Sequence, residues 1–113
     1  MKVRMVNDIA ILAPHGWLMG GDETEDFETA IRKLLEEGNR TLLVNLGDVS
    51  MMNSTALGVL TGCRTSYVNR EGRVALCNLD KKLDHIFVIT RLALLFDTYP
   101  SEKEALAALS VKV

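Results

Sequence analysis

Nothing in this sequence builds a disulfide or metal scaffold. Its two cysteines, Cys63 and Cys77, fall in no CxxC pair and no Cys/His cluster. They read as small buried apolar groups of a reducing compartment. The two histidines, His15 and His85, form no i, i+4 ligand pair and read as surface residues. No apolar run approaches the ~20 residues that a membrane span needs. Asn7 and Asp8 also break the apolar start that a signal peptide would require, so a cytoplasmic chain is expected. A basic block is missing too, and the formal net charge is −2, which argues against a nucleic-acid partner. Neither GxGxxG nor GK[ST] occurs, so no nucleotide loop is expected. With no G-x-S-x-G elbow and no convincing carboxylate pair, the chain does not read as an enzyme. Linkers, repeats and low-complexity stretches are absent, which leaves one domain over residues 1–113.

What is present alternates between strand and helix. Val3–Val6 and Ile9–Leu12 are short apolar runs around Asn7-Asp8, the pattern of a tight hairpin. The glycine-rich stretch 14–21 reads as loop, with an extended piece at Trp17–Met19. A first helix is predicted from Asp22, as its cap with Glu25 in a capping-box variant, to a stop at Gly38. Its acids come first and Arg32 and Lys33 later, in accord with the helix dipole. Thr41–Leu46 follows as a buried strand, and Ser54–Asn69 as a helix with Ala56, Val59, Leu60, Cys63 and Tyr67 on one face. Arg73–Cys77 is a further strand, Asp80–Ile89 a helix, and Leu94–Asp97 a short last strand. Ser101 opens a final helix. This order predicts an α/β domain with a mixed sheet of four to five strands and about four helices.

The most informative stretch is Leu42–Leu60, in which an apolar strand leads through Gly47-Asp48 to Asn53-Ser54-Thr55-Ala56 at a helix start. The strand's carboxyl end is where α/β folds place their sites. Free backbone N–H groups at a helix start favour negative charge. The stretch resembles the central segment of the STAS domain, the fold of bacterial anti-sigma factor antagonists. Gly16-Trp17-Leu18 is similar to that family's Gly-x-Leu, and Leu42–Leu46 to its central strand, which usually carries Asp where this chain has Asn45. Leu57-Gly58-Val59-Leu60, Gly72–Asn78, Thr90-Arg91-Leu92, Phe96 and Ser101–Leu109 follow in the family's order.

The resemblance implies a regulatory protein-binding module that sequesters an anti-sigma factor acting as a serine kinase. Phosphorylation at the helix start would release it, and a phosphatase would reset it. Thr55 occupies the phosphoacceptor position, with Ser54 the alternative. Asn53, Ser54, Thr55, Gly58 and Trp17 are the expected partner-binding residues. ATP and Mg²⁺ would belong to the kinase, and this chain needs no cofactor. As an alternative, the resemblance allows a phosphorylation-independent adaptor or scaffold subunit of a signalling or lipid-transport complex. Two departures bear on the choice. Asn53 caps about as well as Asp but removes a charge, and Ala56 brings a methyl where the family has Gly, placed to crowd a kinase. Three further features read two ways. Trp17 is a partner anchor or a cover over the sheet end, Gly58 and Gly62 are an open strip or a close internal packing surface, and Met51 and Met52 are contact surface or core filler.

Overall fold

A computed structural model describes residues 1–110. β1 (Lys2–Val6) and β2 (Ile9–Ala13) pair antiparallel, closing at Val6 opposite Ile9. Asn7 takes the turn in the left-handed conformation, φ 55°, which its short side chain tolerates. β4 (Thr41–Asn45), β6 (Arg73–Cys77) and β7 (Asp97–Tyr99) then add parallel to β2, giving one five-stranded sheet in the order β1-β2-β4-β6-β7. The mixed sheet and its helices match the expectation from sequence.

Alternation along the strands divides the core in two. Ala10, Leu12, Leu42, Val44, Val74 and Leu76 face α1 (Asp22–Glu36), α2 (Ser54–Asn69) and α3 (Lys81–Ile89). Ile9, Ile11, Leu43, Ala75 and Cys77 face the other way, toward Ala105 and Leu109 of α4 (Glu102–Leu109). Both faces of the parallel strands are thus covered, which is why these strands read as unbroken apolar runs. Both cysteines are buried, as the sequence implied. Burial pushes the Cys63 thiol up to about 12 and the Cys77 thiol to about 11, the latter with help from the Glu102 charge. Neither is a thiolate at neutral pH.

The structure corrects the sequence reading at three places. Asp22 is the first residue of α1 and not its cap. The cap is Gly21, which has no side chain to offer, and no side-chain capping bond forms there. Instead buried Thr24 turns its Oγ1 back to accept the Gly20 N–H at 2.9 Å, so a hydroxyl one turn in does the local work. Gly38 does end the helix, at φ +88°, with the N–H of Asn39 reaching back to Leu34. Secondly, residues read as loop form a strand, β5 (Asp48–Met52). It pairs parallel with β3 (His15–Leu18) in a separate two-stranded ribbon. Thirdly, the last strand lies at Asp97–Tyr99, beyond the Leu94–Asp97 expected. Arg91 in the left-handed region, φ 64°, turns the chain into a 3₁₀ turn at Leu92–Leu94 before the strand begins.

Candidate functional site

The ribbon is what delivers α2 to the surface. Val49 and Met52 of β5 point into the core with Leu18 of β3, so Met52 is core filler while Met51 is half-buried. As β5 ends, the Asn53 N–H donates to Leu18 O at 3.1 Å, tying the last extended residue to β3. Asn53 then caps α2. Its Oδ1 accepts the Ala56 N–H at 3.0 Å, and its own carbonyl accepts the Leu57 N–H at 2.9 Å. Ser54 and Thr55 are the first two helical residues, and both are exposed. No acidic side chain occupies the first turn of α2, so the positive end of its dipole is uncompensated by charge.

Ala56 is fully buried. Its methyl points into the core beneath the hydroxyls, and the expectation that it would crowd an approaching kinase is overturned. Thr55 instead has the preceding loop for a neighbour. A Cβ built on Gly20 would lie 3.6 Å from Thr55 Cγ2 and 3.9 Å from Asn53 Nδ2. Gly20 is also held at φ +91°, where glycine is the residue without strain. The β3–α1 loop therefore sits against the methyl side of Thr55.

Gly58 and Gly62 resolve to the open reading, because a Cβ at either would meet nothing within 4 Å. They line a groove of about 500 Å³ between α1 and α2, together with Ile31 and Leu35 of α1 and Thr55 and Cys63 of α2. Close internal packing at these glycines is ruled out. A helix interior with room for a methyl makes Gly62→Ala a stabilising change of ~0.5–1 kcal/mol, to be read as an increase in the denaturation midpoint with unchanged slope. Trp17 is 64% exposed on the ribbon and does not cover the sheet end. The structure thus groups Asn53, Ser54, Thr55 and Gly58 along one end of α2. Trp17 lies on the strand that Asn53 is bonded to.

Sequence reasoning missed a polar network on the opposite face of the sheet. Asn45 Nδ2 donates to Glu102 Oε2 at 2.9 Å, while Asn45 Oδ1 accepts the Gly47 N–H at 2.9 Å and Asn78 Nδ2 at 3.2 Å. The Arg4 guanidinium from β1 holds the other oxygen of Glu102. The Asn45 bond draws the Glu102 carboxyl below the usual glutamate range; burial pushes the other way, and the Arg4 guanidinium adds to the downward pull. The network fixes the turn between β4 and β5, and through it the start of the ribbon. Among the described residues, no group of three or more His, Cys, Asp or Glu side chains is placed to hold a metal, and no helix is long and apolar enough to cross a membrane.

Solved structures share this architecture. The Thermotoga maritima protein TM1081, a candidate anti-sigma factor antagonist, superposes with a TM-score of 0.90 at 23% identity, covering 97% of this chain and 94% of its own. Phosphorylated SpoIIAA, a Bacillus cell-fate determinant, gives a TM-score of 0.76 at 21% identity, with 95% and 96% covered. The STAS domain of a Vibrio cholerae SulP transporter gives 0.77 at 21% identity, with 93% and 83% covered. At these identities the likeness is one of fold. The STAS domain model itself matches residues 1–105, and the chain belongs to the STAS domain family.

Proposed function

We propose that this protein is an anti-sigma factor antagonist, a regulatory module that docks onto an anti-sigma factor with serine-kinase activity and is released when Thr55 is phosphorylated. The observation that carries the reading is the α2 start. Two exposed hydroxyls stand there over a buried Ala56, at a helix end without acidic side chains and beside an open groove. Docking buries Ser54, Thr55, Gly58 and the ribbon around Trp17. Phosphorylation adds about −1.5 to −2 charges at pH 7 to the middle of that surface. The free domain accommodates the dianion at the helix start. The complex must desolvate it, and so falls apart. The kinase brings ATP and Mg²⁺, and a phosphatase restores the hydroxyl.

The test is incubation with the cognate kinase and ATP, followed by mapping of the modified residue. Phosphate on Thr55, its loss in Thr55→Ala and weaker docking of Thr55→Glu are the expected results. In a calorimetric titration, Gly58→Glu should weaken docking at least tenfold without unfolding the domain, since its side chain enters open space. Absence of phosphate on Thr55, under conditions that label a known substrate, rejects the switch. It favours the second reading, a constitutive adaptor in a signalling or lipid-transport complex. What supports that reading is that the neutral Asn53 cap completes the helix start without any charge.

A further inference from the structure

The outer face of the β3–β5 ribbon and the residue after it carry apolar side chains that the fold leaves exposed or half-covered. Inward residues Leu18, Val49 and Met52 are all buried, whereas Trp17 is 64% and Met19 45% exposed. Met51 lies opposite Trp17 in the parallel register. The chain's one tryptophan is thus held outward on backbone fixed by strand pairing, with half-buried Met51 across the ladder and exposed Met19 just past the end of β3. A rigid aromatic next to adaptable methionines is the composition of a binding centre.

What lies beside this face constrains the occupant. Met19 is followed by Gly20, Gly21 and the start of α1, where Asp22, Glu23 and Glu25 of the first turn and Asp26 just beyond it are exposed. Three of these, Asp22, Glu23 and Asp26, line a common hollow with His15 of β3. The apolar face therefore leads through Gly20 and Gly21 into an acidic border that adjoins His15 of the same strand. Arg32 and Lys33 lie further along the same helix.

We propose that the ribbon face is a docking surface for a protein partner with an apolar centre and a lysine- or arginine-bearing rim. Trp17, Met19 and Met51 receive the centre, and the first turn of α1 receives the rim. The inference rests on the reading of this end of the molecule as the partner site, and it divides the labour within it. The acidic border attracts the partner and sets the association rate, as rim charges do. The Trp17 centre sets how long the partner stays.

The test uses the whole unmodified protein, so its outcome is independent of whether Thr55 is ever phosphorylated. The probes are two amphipathic helical peptides of equal length, one of leucine and lysine and one of leucine and glutamate. The emission of Trp17 reports contact directly, and a dye on the peptide reports affinity in variants without it. The lysine peptide should shift Trp17 emission to the blue and shield it from iodide, whereas the glutamate peptide should do neither. Trp17→Ser should weaken lysine-peptide binding at least tenfold while thermal unfolding by circular dichroism is unchanged. The triple change Asp22→Asn, Glu23→Gln, Asp26→Asn should slow association and flatten its salt dependence. Neutralising Glu36 and Glu37, at the far end of α1, should do neither. Equal binding of both peptides, binding indifferent to Trp17→Ser, or an equal effect of the Glu36 and Glu37 changes would each overturn the proposal. The last result would mean that the peptide reads only overall acidity.

Discussion

Gly72→Ala is expected to be the most damaging single-methyl change in this domain. The Gly72 N–H donates to Tyr67 O at 2.7 Å, closing the end of α2, and the next residue pairs with Arg40 just before β4. A Cβ at Gly72 would fall on the Arg40 carbonyl oxygen, far inside contact distance, and 3.0 Å from the Tyr67 carbonyl oxygen. Both neighbours are backbone, so no side-chain rotation makes room. Either the helix end or the entry to β4 has to move. A loss of about 3 kcal/mol follows from overpacking of this kind, equivalent to a fall in Tm of more than ~10 °C for a domain of this size. Comparison with Gly62→Ala in one denaturant series makes the test sharp, because the same chemical change should then appear with opposite sign. Unfolding midpoints that move together would show that the space around the two glycines is not what separates them.

The second large effect is expected at Asn45→Asp. The substitution removes the amide hydrogens that reach Glu102 and places a second carboxylate against the first. A cost of ~2 kcal/mol at pH 7 is reasonable for a broken, partly buried polar pair with like charges left facing. Glu102→Gln in the same chain should recover most of it, because the glutamine amide can donate to the new carboxylate. The pH dependence has a definite sign. In the parent protein the Glu102 carboxyl is drawn below its unfolded value. Its stabilising contribution is therefore complete above the ordinary glutamate range near ~4.3 and is lost as pH falls through the lowered folded value. In Asn45→Asp the penalty should shrink on acidification, as one of the two facing groups takes up a proton. A penalty of the same size at pH 4 and pH 7 would rule out carboxylate repulsion as its origin.

These two sites also mark where sequence reasoning stops. α2 was legible to the residue, from Ser54 to Asn69, because Asn53 is a strong cap and Ala56, Leu60, Cys63 and Tyr67 recur on one face. β5 was not. Its five residues begin with Asp48, include exposed Ser50 and bury only Val49 and Met52, and its partner strand contains Gly16. Neither strand carries a strong propensity, and pairing supplies what each lacks. The choice of Asn at position 45 was equally opaque, because its reason stands 57 residues away at Glu102. Around the candidate site, the exposure of the hydroxyl pair followed from strand, loop and helix order. The burial of Ala56 settles a point that the motif left open, since a methyl pointing inward cannot obstruct an approach from outside. Trp17 carried no signal of its direction. One aromatic among glycines has no periodicity to read, and only the pairing of β3 with β5 decides that it faces out.

That pairing has a consequence for how the molecule can change over generations. The ribbon joins the five-stranded sheet through the chain and, among the described residues, shares no strand ladder with it, and Trp17 on its outer side is 64% exposed. Mutations at Trp17 or Met19 are thus largely decoupled from folding, those at half-buried Met51 less so, and those at Leu18, Val49 and Met52 are not. The bulged pairing of two short strands thus separates freely variable positions from fixed ones. A lineage can rewrite the first set alone without passing through an unfolded intermediate sequence.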